Sequence, residues 1–318
     1  MPTNPKQQAR FDPQRGSSPP EMIDLVEASW ILKALGGVLA VALLCAFTTL
    51  CVLFSRSQWQ LVLHPRRAVA TMPSALGLNF TEVHFGVDAS GQPQLDGWFI
   101  PANDPRDTTA GNPATGPTAP TALLLHNGDD SISDALPIAR TLHDAHLNVL
   151  LFDYRGYGHS SGQHPTEASM EADAETALAY LTTTRSIPAS SIVVYGNGVG
   201  GALAVRLCAE HHALPALILQ SPDGDFEARV RQDPRSRLVP VSLLFDQNFP
   251  LARPLHTLTT PKLLISTTNG PAPVEFQRAA YPRTTVELQP NDTTALHQAL
   301  THFLSAHLQP IPGLKSTH

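Results

Sequence analysis

A mainly parallel α/β sheet with helices on both faces, preceded by one transmembrane helix, is the architecture this 318-residue sequence predicts. Three observations carry the prediction. The short runs "TALLLHN", "LNVLLFDY", "SIVVYGN", "PALILQS" and "PKLLIST" have the length and unbroken hydrophobicity of strands buried on both faces. Between them the apolar period becomes helical, and strand alternating with helix builds a parallel sheet. Ahead of all this, Ala34–Phe54 carries no charge and as a helix reaches about 31 Å, close to the hydrocarbon thickness of a bilayer.

Residues 1–29, with "NPKQQARFDPQRGSSPP", have the polar, proline-rich composition of a disordered segment. A transmembrane helix over 30–54 follows, with Trp30 and Trp59 placed as interfacial anchors. The apolar run is too long and too far from the start for a secretory leader, and "SRSQWQ" is no cleavage site. The expectation is therefore a single-pass membrane protein whose partner is the lipid bilayer through Ala34–Phe54. Arg15 and Lys33 on one side, against Arg56, Arg66 and Arg67 on the other, leave the side of the soluble domain open.

A connector over 55–78 leads to a soluble domain over 79–310, and 311–318 form a tail. "FTEVHFGV" and "QLDGWFIP" alternate like a hairpin pair, and Ala102–Pro120, rich in Pro, Thr, Gly and Ala, is a loop between strands. "SISDALPIARTLHDAH" reads as a helix. "PTEASMEADAETALAYL" reads as another, with Thr166 as its cap and Met170, Ala174, Ala177, Leu178 and Leu181 as one apolar stripe. "DTTALHQALTHFLSAHL" is the last, with Leu296, Leu300 and Phe303 inward. An insertion over about 223–260 is expected to form a small cap. Within it Arg229, Arg231, Arg235 and Arg237 are read either as a solvated loop or as a patch for anions or lipid headgroups.

A net charge of -6 with only 15% charged residues argues against a nucleic-acid partner. Three cysteines give no disulfide framework. Fourteen histidines without ligand spacing give no metal, and no cofactor is expected.

The chemistry turns on "SIVVYGNGVGGALAV", a strand running through a glycine turn into a helix. Gly196, Gly198 and Gly201 fit the dinucleotide spacing G-x-G-x-x-G, but the turn follows several strands rather than opening the first unit. The next strand then ends on Gln220 and Ser221 before any carboxylate.

The series "LLLHNGDD", "NVLLFDYRGYGHSSG", "VVYGNGVGGALAV", "ALILQSPDGDF" and "PKLLIS" resembles the α/β-hydrolase superfamily in order and spacing over residues 55–310. With the apolar helix ahead of it, the chain is most similar to the membrane-anchored, single-domain, serine-aminopeptidase-like branch. The resemblance implies an elbow of the form G-x-S-x-G, whose serine slot here is Gly198. Glycine tolerates an elbow backbone but offers no attacking atom. By the same resemblance the acid slot is Gly270, with Asp223 or Asp225 as a relocated acid. The histidine slot falls among Asn291–Thr294, with His297 beyond it. His126, Asn127, Gly128 and Val199 would line the pocket, the backbone N–H groups near Gly128 and of Val199 forming an oxyanion site.

The expectation is a degenerate Ser-Asp-His triad on a protein that binds a small ligand or a protein partner. Two alternatives stand beside it: an active hydrolase of ester, thioester or peptide bonds using a relocated nucleophile or activated water, and a scaffolding membrane protein.

Overall fold

The computed structural model describes residues 28–102, 119–266, 274–289 and 292–308, in two compact units, Met1–Leu50 and Cys51–His318. The N-terminal segment before Ala28, the loop over 103–118, the tail and Gly270 lie outside the described residues.

Helix α1 spans Ala28–Ser57, and Ser29–Leu61 is long and apolar enough to cross a membrane, with a mean hydropathy of 2.5. Apart from Leu50, its leucines and valines are exposed, as a lipid-facing surface requires and a water-facing one does not.

The second unit is built on an eight-stranded sheet. Strands β1 (Thr81–Val87) and β2 (Pro93–Ile100) form the predicted antiparallel pair. Strands β3 (Thr121–Leu125), β4 (Asn148–Phe152), β5 (Ile192–Asn197), β6 (Ala216–Gln220), β7 (Lys262–Ser266) and β8 (Arg283–Glu287) run parallel, in the order β1-β2-β4-β3-β5-β6-β7-β8. Strands β3, β4 and β7 are buried at every residue, which is why their sequences run apolar rather than alternating.

Helices α2 (Leu136–Asp144), α3 (Glu167–Ala179), α4 (Gly200–Glu210) and α9 (Thr293–His307) cover the sheet. Thr166 caps α3 as predicted: its hydroxyl accepts from Ser169 N–H while the Ser169 hydroxyl accepts from Thr166 N–H. Met170, Ala174, Ala177, Leu178 and Leu181 are all buried, as are Leu296, Leu300 and Phe303 on α9. Between β6 and β7 the insertion forms short helices α5 (Glu227–Gln232), α6 (Val241–Leu244) and α7 (Ala252–Leu255). A further short helix, α8 (Val274–Arg278), precedes β8.

Two elements depart from the sequence prediction. Helix α2 starts at Leu136 rather than Ser131, because Asp134 accepts from both the N–H and the hydroxyl of Ser131, fixing a turn there, and Pro137 suits a first helical turn. Strand β8 was not predicted: as the outermost strand, with Thr284 and Thr285 exposed, it lacks an apolar run.

Strand order also locates a crevice. From β3 the chain moves to β4 on one side and then returns to β5 on the other, so the segments leaving the C-terminal ends of β3 and β5 lie side by side.

Candidate functional site

The turn from β5 into α4 places Gly198 at φ +55°, in the left-handed region that favours glycine. Helix α4 enters against β3: a Cβ on Gly200 would stand 2.2 Å from the Leu125 carbonyl oxygen. At Gly198 an added Cβ would stand 2.0 Å from Asn127 Oδ1 and 2.4 Å from Asn127 Cγ. The space a nucleophile's first carbon would use is filled by the Asn127 carboxamide.

Asn127 lies in the segment leaving β3, and its Oδ1 accepts from two backbone donors, Gly128 N–H at 2.8 Å and Val199 N–H at 3.2 Å. These are the two donors that the sequence pointed to for an oxyanion. An amide carbonyl oxygen of the chain itself sits where they converge. The Tyr157 hydroxyl donates to the Gly128 carbonyl at 2.8 Å and the Tyr154 hydroxyl to the His126 carbonyl at 3.1 Å, both from buried rings, so the segment is held rigidly.

Leu63, from the stretch between α1 and β1, closes over the same place. It is fully buried, and a Cβ on Gly128 would meet Leu63 Cδ2 at 2.8 Å and Val199 Cγ2 at 3.3 Å. His64 N–H donates to the Gly128 carbonyl at 3.1 Å and His64 Nδ1 lies 2.8 Å from Asp129 Oδ1. Residues predicted as a connector thus pack on the loop after β3.

His126 is fully buried beneath the segment. Its Nδ1 faces the Asn127 carbonyl at 2.8 Å, and among the described residues its Nε2 has no hydrogen-bond partner, lying 3.7 Å from Asp153 Oδ1. Burial lowers its pKa to about 4. Asp153 accepts from Ile132 N–H at 2.8 Å, yet burial pushes its carboxyl up to about 7. Burial favours the neutral form of both groups.

The remaining predicted residues do not assemble into a relay. Asp223 adjoins the elbow through its backbone, donating to the Gly198 carbonyl at 2.8 Å, but its carboxylate is gripped by Arg229 at 2.9 and 3.1 Å. Asp225 binds the backbone of Ala252 at 2.8 Å. His297 lies half-buried within α9 and makes no side-chain hydrogen bond among the described residues. Ser160 donates to the Asp153 carbonyl at 2.6 Å and accepts from Asp96 N–H, a structural role. Of the four clustered arginines on the insertion, Arg229, Arg231 and Arg235 are paired with Asp223, Glu227 and Asp233, which leaves little free charge in the cluster for an anion. A cavity of about 290 Å³ is lined by Glu171, Ala202, Leu203, Arg206, Phe249 and Pro254.

The profile of the family described as serine aminopeptidase, S33, matches residues 117–300. The chain belongs to this family, whose fold is the α/β hydrolase. Among curated relatives of this serine aminopeptidase-like chain, Bem46 of Schizosaccharomyces pombe is 41% identical over 104 residues, 32% of this chain and 34% of that protein. An uncharacterized Mycobacterium tuberculosis protein is 30% identical over 187 residues, 58% of this chain and 60% of the other. The chain thus spans about a third to three fifths of the curated relatives' own length. Among solved structures, the Pyrococcus furiosus esterase Pf2001 superposes with a TM-score of 0.57 at 18% identity, covering 78% of this chain and 99% of that one. The α/β hydrolase GrgF from Penicillium gives 0.57 at 17% identity, covering 73% and 99%. These likenesses show the fold.

Two contributors escaped the sequence. The Asn127 side chain takes the place expected for a ligand oxygen, and "HNGDD" carries the signal for it: an amide-bearing residue directly ahead of Gly128. Leu63 gave no signal, since a leucine in "QLVLHP" looks like any connector residue.

Proposed function

We propose that this is a membrane-anchored α/β-hydrolase-fold protein that carries out no acyl-enzyme chemistry and acts by binding a ligand or a partner. One observation carries the reading: Gly198 stands at the elbow while Asn127 Oδ1 accepts from both Gly128 N–H and Val199 N–H. An acyl transfer needs an attacking atom and vacant donors for the oxygen that becomes negative. Here the first is replaced by hydrogen, and the second are engaged by an internal carbonyl. Anchoring is supported by the exposed apolar surface of α1.

The full chain incubated with a fluorophosphonate probe is the direct test. No serine-specific labelling is expected; labelling abolished by changing one particular serine would identify a nucleophile and end this reading. Gly198→Ser should also fail to label, because its Cβ must first expel Asn127. Gly198→Ser combined with Asn127→Gly removes that obstacle, and the absence of a relay histidine among the described residues should still keep p-nitrophenyl ester turnover at background. Turnover by the double variant would show a relay that this reading denies.

A further inference from the structure

The insertion between β6 and β7 contains "LVPVSLLF", Leu238–Phe245, with no charge between Arg237 and Asp246. Val239 and Val241 point inward and are buried, yet Leu238 and Leu243 are 74% and 80% exposed. Pro240 and Ser242 are exposed beside them. Single exposed leucines are ordinary; two on one short uncharged segment make a patch that water does not favour.

The position of this segment within its unit identifies what would cover it. It ends at Asp246, whose N–H donates to Gln58 Oε1 at 2.9 Å. Gln58 is buried, and so is Phe54, the last residue of the uncharged run. Four residues of helical rise put Gln58 only about 6 Å along the axis from Phe54. The leucine-bearing segment is therefore fastened to the very end of the apolar helix. Arg229, Arg231 and Arg235 nearby are paired with carboxylates, so apolar contact adds to whatever attraction Arg237 supplies.

We infer that Leu238 and Leu243 seat in the headgroup–acyl boundary of the bilayer, giving the insertion its own membrane contact. This rests on the anchored reading above. A side chain in that boundary lies about 5–10 Å deep, within reach of lipids brominated near the headgroup.

The test uses the full chain in phosphatidylcholine vesicles with shallow brominated lipid. In a Cys45→Ala, Cys51→Ala background, where Cys208 is fully buried, Leu243→Cys carries an environment-sensitive fluorophore. Emission should fall about twofold at the depth set by interfacial burial, while the same fluorophore at Val87→Cys, on the exposed face of β1, stays unchanged. A second preparation, Cys51→Ala alone, carries the label on native Cys45, near the middle of α1, in vesicles whose lipid is brominated near the acyl-chain end. Quenching at Cys45 without quenching at Leu243→Cys overturns the inference and leaves the anchor standing. No quenching at either position overturns the anchored reading and the inference with it. An intermolecular disulfide formed under air oxidation by the unlabelled Leu243→Cys protein, with no lipid quenching in the labelled one, would assign the patch to a second copy and also overturn it.

Discussion

Exchanging Gly198 and Asn127 for alanine, singly and together, should give a strongly non-additive stability cycle. In Asn127→Ala, Gly128 N–H and Val199 N–H, both on buried residues, lose their half-buried acceptor, at a cost of up to about 1–3 kcal/mol. Gly198→Ala sets a Cβ 2.0 Å from Asn127 Oδ1, so the carboxamide must leave and the same two bonds are lost. It also adds roughly 1 kcal/mol for a left-handed residue bearing a Cβ. In the double variant those bonds are lost once, not twice. Its destabilisation should fall short of the sum of the singles by about 1–3 kcal/mol. Urea unfolding of the full chain in detergent measures it, and thermal midpoints should track it at about 2–4 °C per kcal/mol. Additivity within about 0.5 kcal/mol would refute the idea that the missing side chain and the inserted carboxamide share one space.

Other expectations follow from the same region. Asp153, with its pKa raised to about 7, binds more protons folded than unfolded, so its contribution to stability is present at low pH and declines as pH rises from about 4 through about 7. His126, lowered to about 4, binds fewer protons folded, so its contribution grows between about 4 and 6.5. The two slopes oppose each other: Asp153→Asn should expose a stability that rises over this window, and urea midpoints that fall there instead would contradict the assignment. Leu63→Ala should cost about 2–5 kcal/mol as a fully buried truncation, and a loss under about 0.5 kcal/mol by the same unfolding assay would mean the segment is not docked. Thr166→Ala should lower stability by about 1 kcal/mol through loss of the α3 cap, read as a shift in urea midpoint.

What the sequence disclosed, and what it withheld, follows physical lines. Strands β3 to β7 were legible because burial on both faces forces uninterrupted apolar residues, and α3 because a cap and a stripe repeat in register. Strand β8 was not, since an edge strand with threonines facing water carries no such mark. Gly198 could be located because the glycine turn resembles a G-x-S-x-G elbow. The fate of the space it leaves could not, because Asn127 meets it only through the order in which the strands lie in the sheet. Asp223 was legible as a carboxylate near the elbow, but the Arg229 grip on it depends on the fold of the insertion.

The stretch from Gln58 to Arg67 is stitched to the body at many points: Gln58 to Asp246, Trp59 stacked on His164 with ring centroids 5.0 Å apart, and Arg67 to the carbonyls of Ser160 and Gly162. A protease cuts chain that has first opened, and opening here would mean giving up Leu63 and these bonds together. Shedding of the folded body by a cut within this stretch should therefore be slow, and a nick just beyond it would leave the two pieces clasped without a covalent tether.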